Sequence, residues 1–270
     1  MTTSSFVDVA YGGRTVSIEY LRLTPSARTA PDSPLVVFLH EGLGSIGLWR
    51  DYPQQFCDEG GYRGLVFSRE GYGRSTPRAH DQHWPPTFMH EQATEMLPQL
   101  FARLGIGNAD PAWLFGHSDG ASIALIFAAT FPASIAGVIA VAPHIFVEAI
   151  SVGSVRGART AYSETDLRER LARYHDDPDS AFNGWTDAWL NPAFLDWNIE
   201  AELDAITCPV FALQGEDDEY GTLEQIRGIA RRLPKTRLLA IPECGHSPQR
   251  DQPELLIREA GRFILEHPST

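Results

Sequence analysis

The chain has 270 residues, 43% hydrophobic and 21% charged, with 23 glycines and 19 prolines. These proportions exclude a disordered, collagen-like or coiled-coil chain, and a chain of this length buries roughly three quarters of its unfolded surface without a disulfide or metal staple. A net charge of −13, from 22 basic and 35 acidic residues, repels phosphate backbones and anionic lipid, so neither nucleic acid nor membrane is an expected partner.

In chain order, residues 6–10 and 15–23 are alternating runs around Tyr11-Gly12-Gly13, which predicts an antiparallel hairpin. Residues 24–34 are a Pro- and Ser-rich connection. The pattern then changes. Residues 35–39 (LVVFL) are an unbroken apolar run ended by His40 and glycines, and helical spacing follows from 46 to about 57. Residues 64–67 are a further short apolar run, and 87–104 read as a helix. Strand and helix then alternate: 112–115, 121–131 and 135–142, and after a gap 210–213, 223–233, 237–241 and 254–265. Unbroken apolar strands are those covered on both faces, and their alternation with helices predicts a mostly parallel α/β sheet with helices on both faces. Residues 144–203 break the rhythm with helical charge pairs and many aromatics, among them Phe146, Trp185 and Trp189. The expected organisation is therefore one core domain from residues 1–143 and 204–270, interrupted by a helical lid at 144–203. The aromatics of the insertion either glue it to the core or line a pocket beneath it.

The three cysteines, Cys57, Cys208 and Cys244, are an odd count without CxxC spacing, which fits a reducing compartment. The first residues carry neither a basic n-region nor an apolar h-region, so a cytoplasmic location is expected. No nucleotide-binding glycine motif follows a strand, so no cofactor is implied. His80, His83 and His90 lack a matched set of metal ligands, and no metal is expected. Oligomeric state is left open.

Chemistry concentrates in Gly116-His117-Ser118-Asp119-Gly120, a G-x-S-x-G between the strand AWLF and the helix ASIALIFAA. The glycines allow a tight strand–turn–helix that lifts the Ser118 hydroxyl above the sheet edge. A serine hydroxyl needs a base, and the base an orienting acid. Gly215-Glu216-Asp217-Asp218 follows the strand VFALQ, and Cys244-Gly245-His246 follows RLLAIP. Both leave strand C-termini, where ligands bind in open α/β sheets.

With LVVFLHEGLGS, SREGYGRS, GHSDG, LQGEDD and GHSPQRDQPE in this order, the chain resembles the α/β-hydrolase family over nearly its whole length. The resemblance implies Ser118 as nucleophile, His246 as general base and Asp218, ahead of its neighbour Asp217, as the acid. It implies an oxyanion hole from the backbone amides of Gly42 and Asp119. Two departures stand out. Glu41 replaces the family's usual glycine, and is expected to point away or to pair with a cation such as Arg69 or Arg74. Ser68 stands where the family commonly has Asp, with a structural role expected. His144, Phe146, Trp185 and Trp189 are candidates for binding a small-molecule substrate, while His40 and His117 are expected to bond locally around the turns. The implied activity is cofactor-free hydrolysis of a small or medium carboxylic ester through an acyl-enzyme. The alternatives are C–C bond hydrolysis of vinylogous diketones from ring fission, and a non-catalytic ligand receptor on the same fold.

Overall fold

The computed structural model describes residues 3–26 and 33–268. Its centre is an eight-stranded sheet: β1 (Ser5–Tyr11), β2 (Arg14–Leu23), β3 (Leu35–Leu39), β4 (Arg63–Phe67), β5 (Ala112–His117), β6 (Ile135–Val141), β7 (Val210–Gly215) and β8 (Arg237–Ile241), in the order β1-β2-β4-β3-β5-β6-β7-β8. β1 and β2 form the expected hairpin, with Ala10 paired to Thr15 and Tyr11 to Arg14. Gly12 and Gly13 have φ of 56° and 74°, the left-handed pair that a two-residue turn matched to the strand twist requires. β2 lies antiparallel to β4, and from β4 to β8 every pairing is parallel. β3, β5 and β7 are buried at every residue, as unbroken apolar runs require of strands covered on both faces. Of the predicted connection at 24–34, residues 27–32 lie outside the described residues.

Helices cover both faces, so there are two hydrophobic clusters, one on each side of the sheet. In one of them Phe115 on β5 meets Phe38, Phe56, Tyr52 and Trp49 at ring-centroid distances of 5.2, 5.3, 5.7 and 6.0 Å. Contacts of this kind contribute about 0.5–1.5 kcal/mol per pair beyond the area they bury. They tie the segment that follows β3 to the strand that leads into Ser118.

Two predicted helices are more broken than their spacing suggests. The run from 46 to 57 is two helices, Ile46–Trp49 and Tyr52–Gly60. Arg50 turns to φ 52° between them, and Pro53 sits in the first turn of the second, where its missing N–H is harmless. The helix predicted at 87–104 contains a π-helical turn, Gln92–Met96, between Phe88–Glu91 and Leu97–Leu104. Pro98 follows that turn, and a proline ring inside a helix would otherwise strike the carbonyl four residues back.

Between β6 and β7 the chain leaves the sheet as three helices, Ala149–Glu164, Leu167–Leu171 and Pro178–Trp189, then two short 3₁₀ turns. Pro178–Trp189 starts at Asp177, whose carboxylate accepts from the Ser180 amide at 2.8 Å, the side-chain cap that a helix start favours. No helix among the described residues is long and apolar enough to cross a membrane.

Candidate active site

β5 ends at His117, and the helix Asp119–Thr130 begins one residue past Ser118. Ser118 joins them at φ 53°, ψ −121°, a conformation that costs a non-glycine residue about 1–3 kcal/mol. The surroundings hold it there: its amide donates to the Val141 carbonyl at 2.9 Å, and its carbonyl accepts from the Ala121 amide at 2.8 Å. Both flanking glycines are sterically required. A Cβ on Gly116 would strike the backbone of Gly120 and Ala121, and one on Gly120 the Leu39 and His40 carbonyls. Gly120→Ala is expected to cost about 1–3 kcal/mol of stability, read as a lower urea midpoint; an unchanged midpoint would show that β3 can yield.

β7 and β8 deliver the other two groups. Glu216, Asp217 and Glu219 on the loop after Gly215 are exposed, whereas Asp218 is 8% exposed. Oδ1 of Asp218 accepts from the Tyr220 amide at 2.8 Å and the Gly221 amide at 3.2 Å, and Oδ2 from Gln214 Nε2 at 3.0 Å. His246 lies with Nδ1 2.8 Å from Asp218 Oδ1 and 2.9 Å from Oδ2, and with Nε2 2.9 Å from Ser118 Oγ. An ionised carboxylate only accepts, so Nδ1 carries the proton and Nε2 presents its lone pair to the hydroxyl. Burial pushes the Asp218 carboxyl up; the hydrogen bond and electrostatic attraction of the His246 ring and the Tyr220 amide outweigh it, and the net shift is down. Asp217 instead gives its amide to the Cys244 carbonyl, at 3.0 Å.

Gln214, Tyr220 and Glu219 escaped the sequence reading. The Tyr220 ring lies 4.7 Å from that of His246, and Glu219 Oε2 accepts from the His246 amide at 3.1 Å. Their nearness to Asp218 in sequence is the only signal they carry.

On the β3 side the amides of Gly42 and Asp119 find no acceptor among the described residues. The expected pairing of the Glu41 carboxylate with Arg69 or Arg74 is corrected. Oε2 lies 3.4 Å from Nδ1 of His117. Arg69 Nη2 turns to the Glu41 backbone carbonyl at 2.9 Å, with Asp119 Oδ2 at 3.9 Å. Burial raises the Glu41 carboxyl, but the His117 ring beside it, with a smaller contribution from His40, brings it down to about 2. His117 also donates from Nε2 to the His246 carbonyl at 2.7 Å, tying the turn before Ser118 to the His246 loop. Ser68 donates to Glu19 Oε2 at 3.0 Å and accepts from the Ile46 amide at 3.1 Å, bracing the same region.

Three of the four candidates for substrate contact gather here. The Trp185 indole packs on Gly42, where a Cβ would overlap it. Trp189 Nε1 donates to Asp119 Oδ1 at 3.1 Å. His144 lies with its ring 4.8 Å from Trp189 and 5.8 Å from His246, its Nδ1 buried without a partner among the described residues. Phe146 does not join them. Its backbone pairs with Asn198 and its carbonyl accepts from Gln225, and the residue lines a surface hollow with Leu195, Trp197 and Arg231. His80, His83 and His90 face three separate carboxylates, Asp177, Asp187 and Glu202.

Three buried imidazoles are held neutral. Burial lowers His40, helped by the Arg69 charge; burial and the nearby His246 lower His144, to about 3; burial lowers His175, partly offset by its bond to the Leu43 carbonyl. The unfolded chain takes up protons near pH 6.5 that the fold refuses, so stability is lost as pH falls below that value. For His144 alone the loss at pH 5 is about 2 kcal/mol. Urea midpoints are expected to be lower at pH 5 than at pH 7.5, and equal midpoints would contradict the assignment.

Comparison with known proteins adds the family context. The model of the family described as "Alpha/beta hydrolase family" matches residues 36–259. A 2-hydroxy-6-oxononadienedioate/2-hydroxy-6-oxononatrienedioate hydrolase of Comamonas testosteroni is 21% identical over 272 residues, covering 91% of this chain and 90% of that protein. Among solved structures, MGS-M2, an alpha/beta hydrolase from a Medee basin deep-sea metagenome library, superposes with a TM-score of 0.75 at 19% identity, over 98% of this chain and 99% of that one. A thermophilic esterase from Thermogutta terrifontis gives 0.71 at 20% identity, over 98% and 100%. At these identities the likeness to the solved structures is one of fold.

Proposed function

The chain belongs to the alpha/beta hydrolase family, and from that premise we propose that it is a serine hydrolase that cleaves a small or medium carboxylic ester through an acyl-enzyme on Ser118. The observation that carries this reading is the contact chain Ser118 Oγ–His246 Nε2–Asp218, with links of 2.9 and 2.8 Å. His246 takes the hydroxyl proton as Ser118 attacks the carbonyl, and Asp218 stabilises the imidazolium. The developing oxyanion is held by the free amides of Gly42 and Asp119, a contribution of about 3 kcal/mol per donor in such sites. His246 returns the proton to the leaving alcohol, then activates the water that frees the acid. No cofactor enters these steps. Residues 144–203 act as a lid, with Trp185 and Trp189 over the oxyanion side and His144 beside the base; Ser118 is 6% and His246 8% exposed beneath them.

A second reading, C–C bond hydrolysis of a vinylogous diketone, is supported by the similarity to the Comamonas testosteroni enzyme. Turnover of p-nitrophenyl acetate and butyrate against a ring-fission dienone separates the two. Rapid ester cleavage with poor dienone turnover supports the ester reading, and the reverse overturns it. A fluorophosphonate probe is expected to label Ser118 in a peptide map; labelling at another residue would refute the nucleophile assignment.

A further inference from the structure

Glu41 and Gly42 share one peptide group. Its N–H, on Gly42, has no acceptor among the described residues. Its carbonyl, on Glu41, is crowded with donors: His40 Nδ1 at 2.7 Å, Arg69 Nη2 at 2.9 Å and the Gly44 amide at 3.0 Å. The His40 tautomer is set from its other side, because Nε2 accepts from the Arg69 amide at 3.0 Å, which leaves the proton on Nδ1. A backbone carbonyl has two lone pairs; this one takes three donors, one of them cationic.

Arg69 is an unusual donor to find there. It is 1% exposed, a costly place for a guanidinium. Among the described residues it has no close carboxylate bond: Asp119 Oδ2 is 3.9 Å away, and Nε finds no partner. The guanidinium lies over the Tyr72 ring at 4.8 Å. The shortest polar contact of this buried cation is thus the carbonyl of one peptide.

We infer that Arg69, assisted by His40, is a positioning residue of the oxyanion site, fixing the plane of the Glu41–Gly42 peptide and polarising it so that the Gly42 N–H becomes a stronger donor. The inference rests on the reading of Ser118 as nucleophile. Hydrogen bonds in a chain strengthen one another, and a charge-assisted bond is about twice as strong as a neutral one. The gain appears only as negative charge grows on the substrate oxygen, so it belongs to kcat and not to KM. The arrangement also suits a glutamate where the family has glycine. The Glu41 side chain turns to His117, while Arg69 engages only its main chain.

The test uses the hemiketal that a small alkyl trifluoromethyl ketone forms with Ser118. Its hydroxyl pKa, followed by ¹⁹F shift against pH, reports how well the site stabilises an oxyanion. Arg69→Gln is expected to raise that pKa by about one unit, a ten-fold weaker stabilisation. It should lower ester kcat about ten-fold with KM within about two-fold, a smaller loss than the 10²–10³ of a donor removed outright. The double variant Arg69→Gln/Asp119→Asn removes the buried pair as a neutral unit and should keep the raised pKa. A return to the wild-type value there would assign the effect to a stranded Asp119 carboxylate and overturn the inference. Arg69→Lys keeps a cation beside Asp119, and so the fold, but its ammonium ends about a bond short of Nη2; a smaller rise is expected. A wild-type pKa in every variant that folds overturns the inference. Wild-type protein that forms no hemiketal and turns over no ester overturns the nucleophile reading itself, a distinct result because no Arg69 variant is needed to see it.

Discussion

Ser118→Ala is expected to lower kcat for p-nitrophenyl butyrate by about 10⁶-fold, the loss seen when the nucleophile of such a triad is removed. Three features of the site lead to this figure. The Ser118 hydroxyl lies 2.9 Å from the only free nitrogen of an imidazole whose other nitrogen is occupied by Asp218. The backbone at φ 53° aims that hydroxyl out of the turn, and alanine carries the same backbone strain without the oxygen. The fold should therefore be kept, with a melting temperature within a few degrees of wild type and the buried core of β5 undisturbed. Residual turnover reports what the oxyanion amides and substrate binding contribute by themselves. Stopped-flow and steady-state turnover with this ester, with circular dichroism to verify folding, decide the matter. Retention of a tenth of the wild-type rate would remove Ser118 from the mechanism.

Asp218→Asn is expected to cost about 10⁴-fold in kcat, the penalty of presenting the wrong imidazole tautomer. The local bonds predict which way the amide would sit. Oδ1 of Asp218 takes two backbone donors, Tyr220 and Gly221, so the asparagine oxygen belongs there. Its NH₂ then occupies the Oδ2 position, 2.9 Å from His246 Nδ1, and donates to that nitrogen, opposed by one side-chain donor, Gln214 Nε2 at 3.0 Å, while the oxygen at Oδ1 is taken up by its two backbone donors. The imidazole proton moves to Nε2, and Ser118 loses its base. Reversing the amide would set the NH₂ against two backbone N–H groups, so relaxation to the active tautomer is disfavoured. Asp217→Asn is the control: its side chain is exposed, and kcat should stay within about two-fold, the range of an ordinary surface change. Equal losses at 217 and 218, or a larger one at 217, would reassign the acid. Ionisation of Asp218 also adds stability. Its folded pKa is depressed, so that stability is complete above the ordinary carboxylate value near 4 and is lost as pH falls below it.

Much of this was legible along the chain. The Gly12-Gly13 turn, the buried strands 35–39 and 210–213 and the strand–turn–helix around Ser118 depend on backbone rules that act over a few residues. Apolar runs of strand length, positive φ at glycine and short turns are written locally, and the strand–helix alternation of a mostly parallel sheet, with its motifs in chain order, follows from them. That three strand ends would deliver a hydroxyl, a carboxylate and an imidazole to one edge followed from that order. Tertiary structure alone decided which side chains meet. Asp217 and Asp218 are the same residue type one position apart; the family resemblance ranks Asp218 first, and the physical difference is its burial against Gln214 and the Tyr220 amide. The Glu41 carboxylate faces His117, 76 residues away. Phe146, placed by its aromatic character among the substrate contacts, is held elsewhere by Asn198 and Gln225. Arg69 reads as one charge in a polar loop, yet it lies 1% exposed against a backbone carbonyl. Desolvation and hydrogen-bond competition are sums over everything packed around a group, and most of those neighbours come from distant parts of the chain. Local spacing therefore determines the scaffold and the edge where chemistry can gather, whereas the partner of each buried polar group is settled only when the layers close.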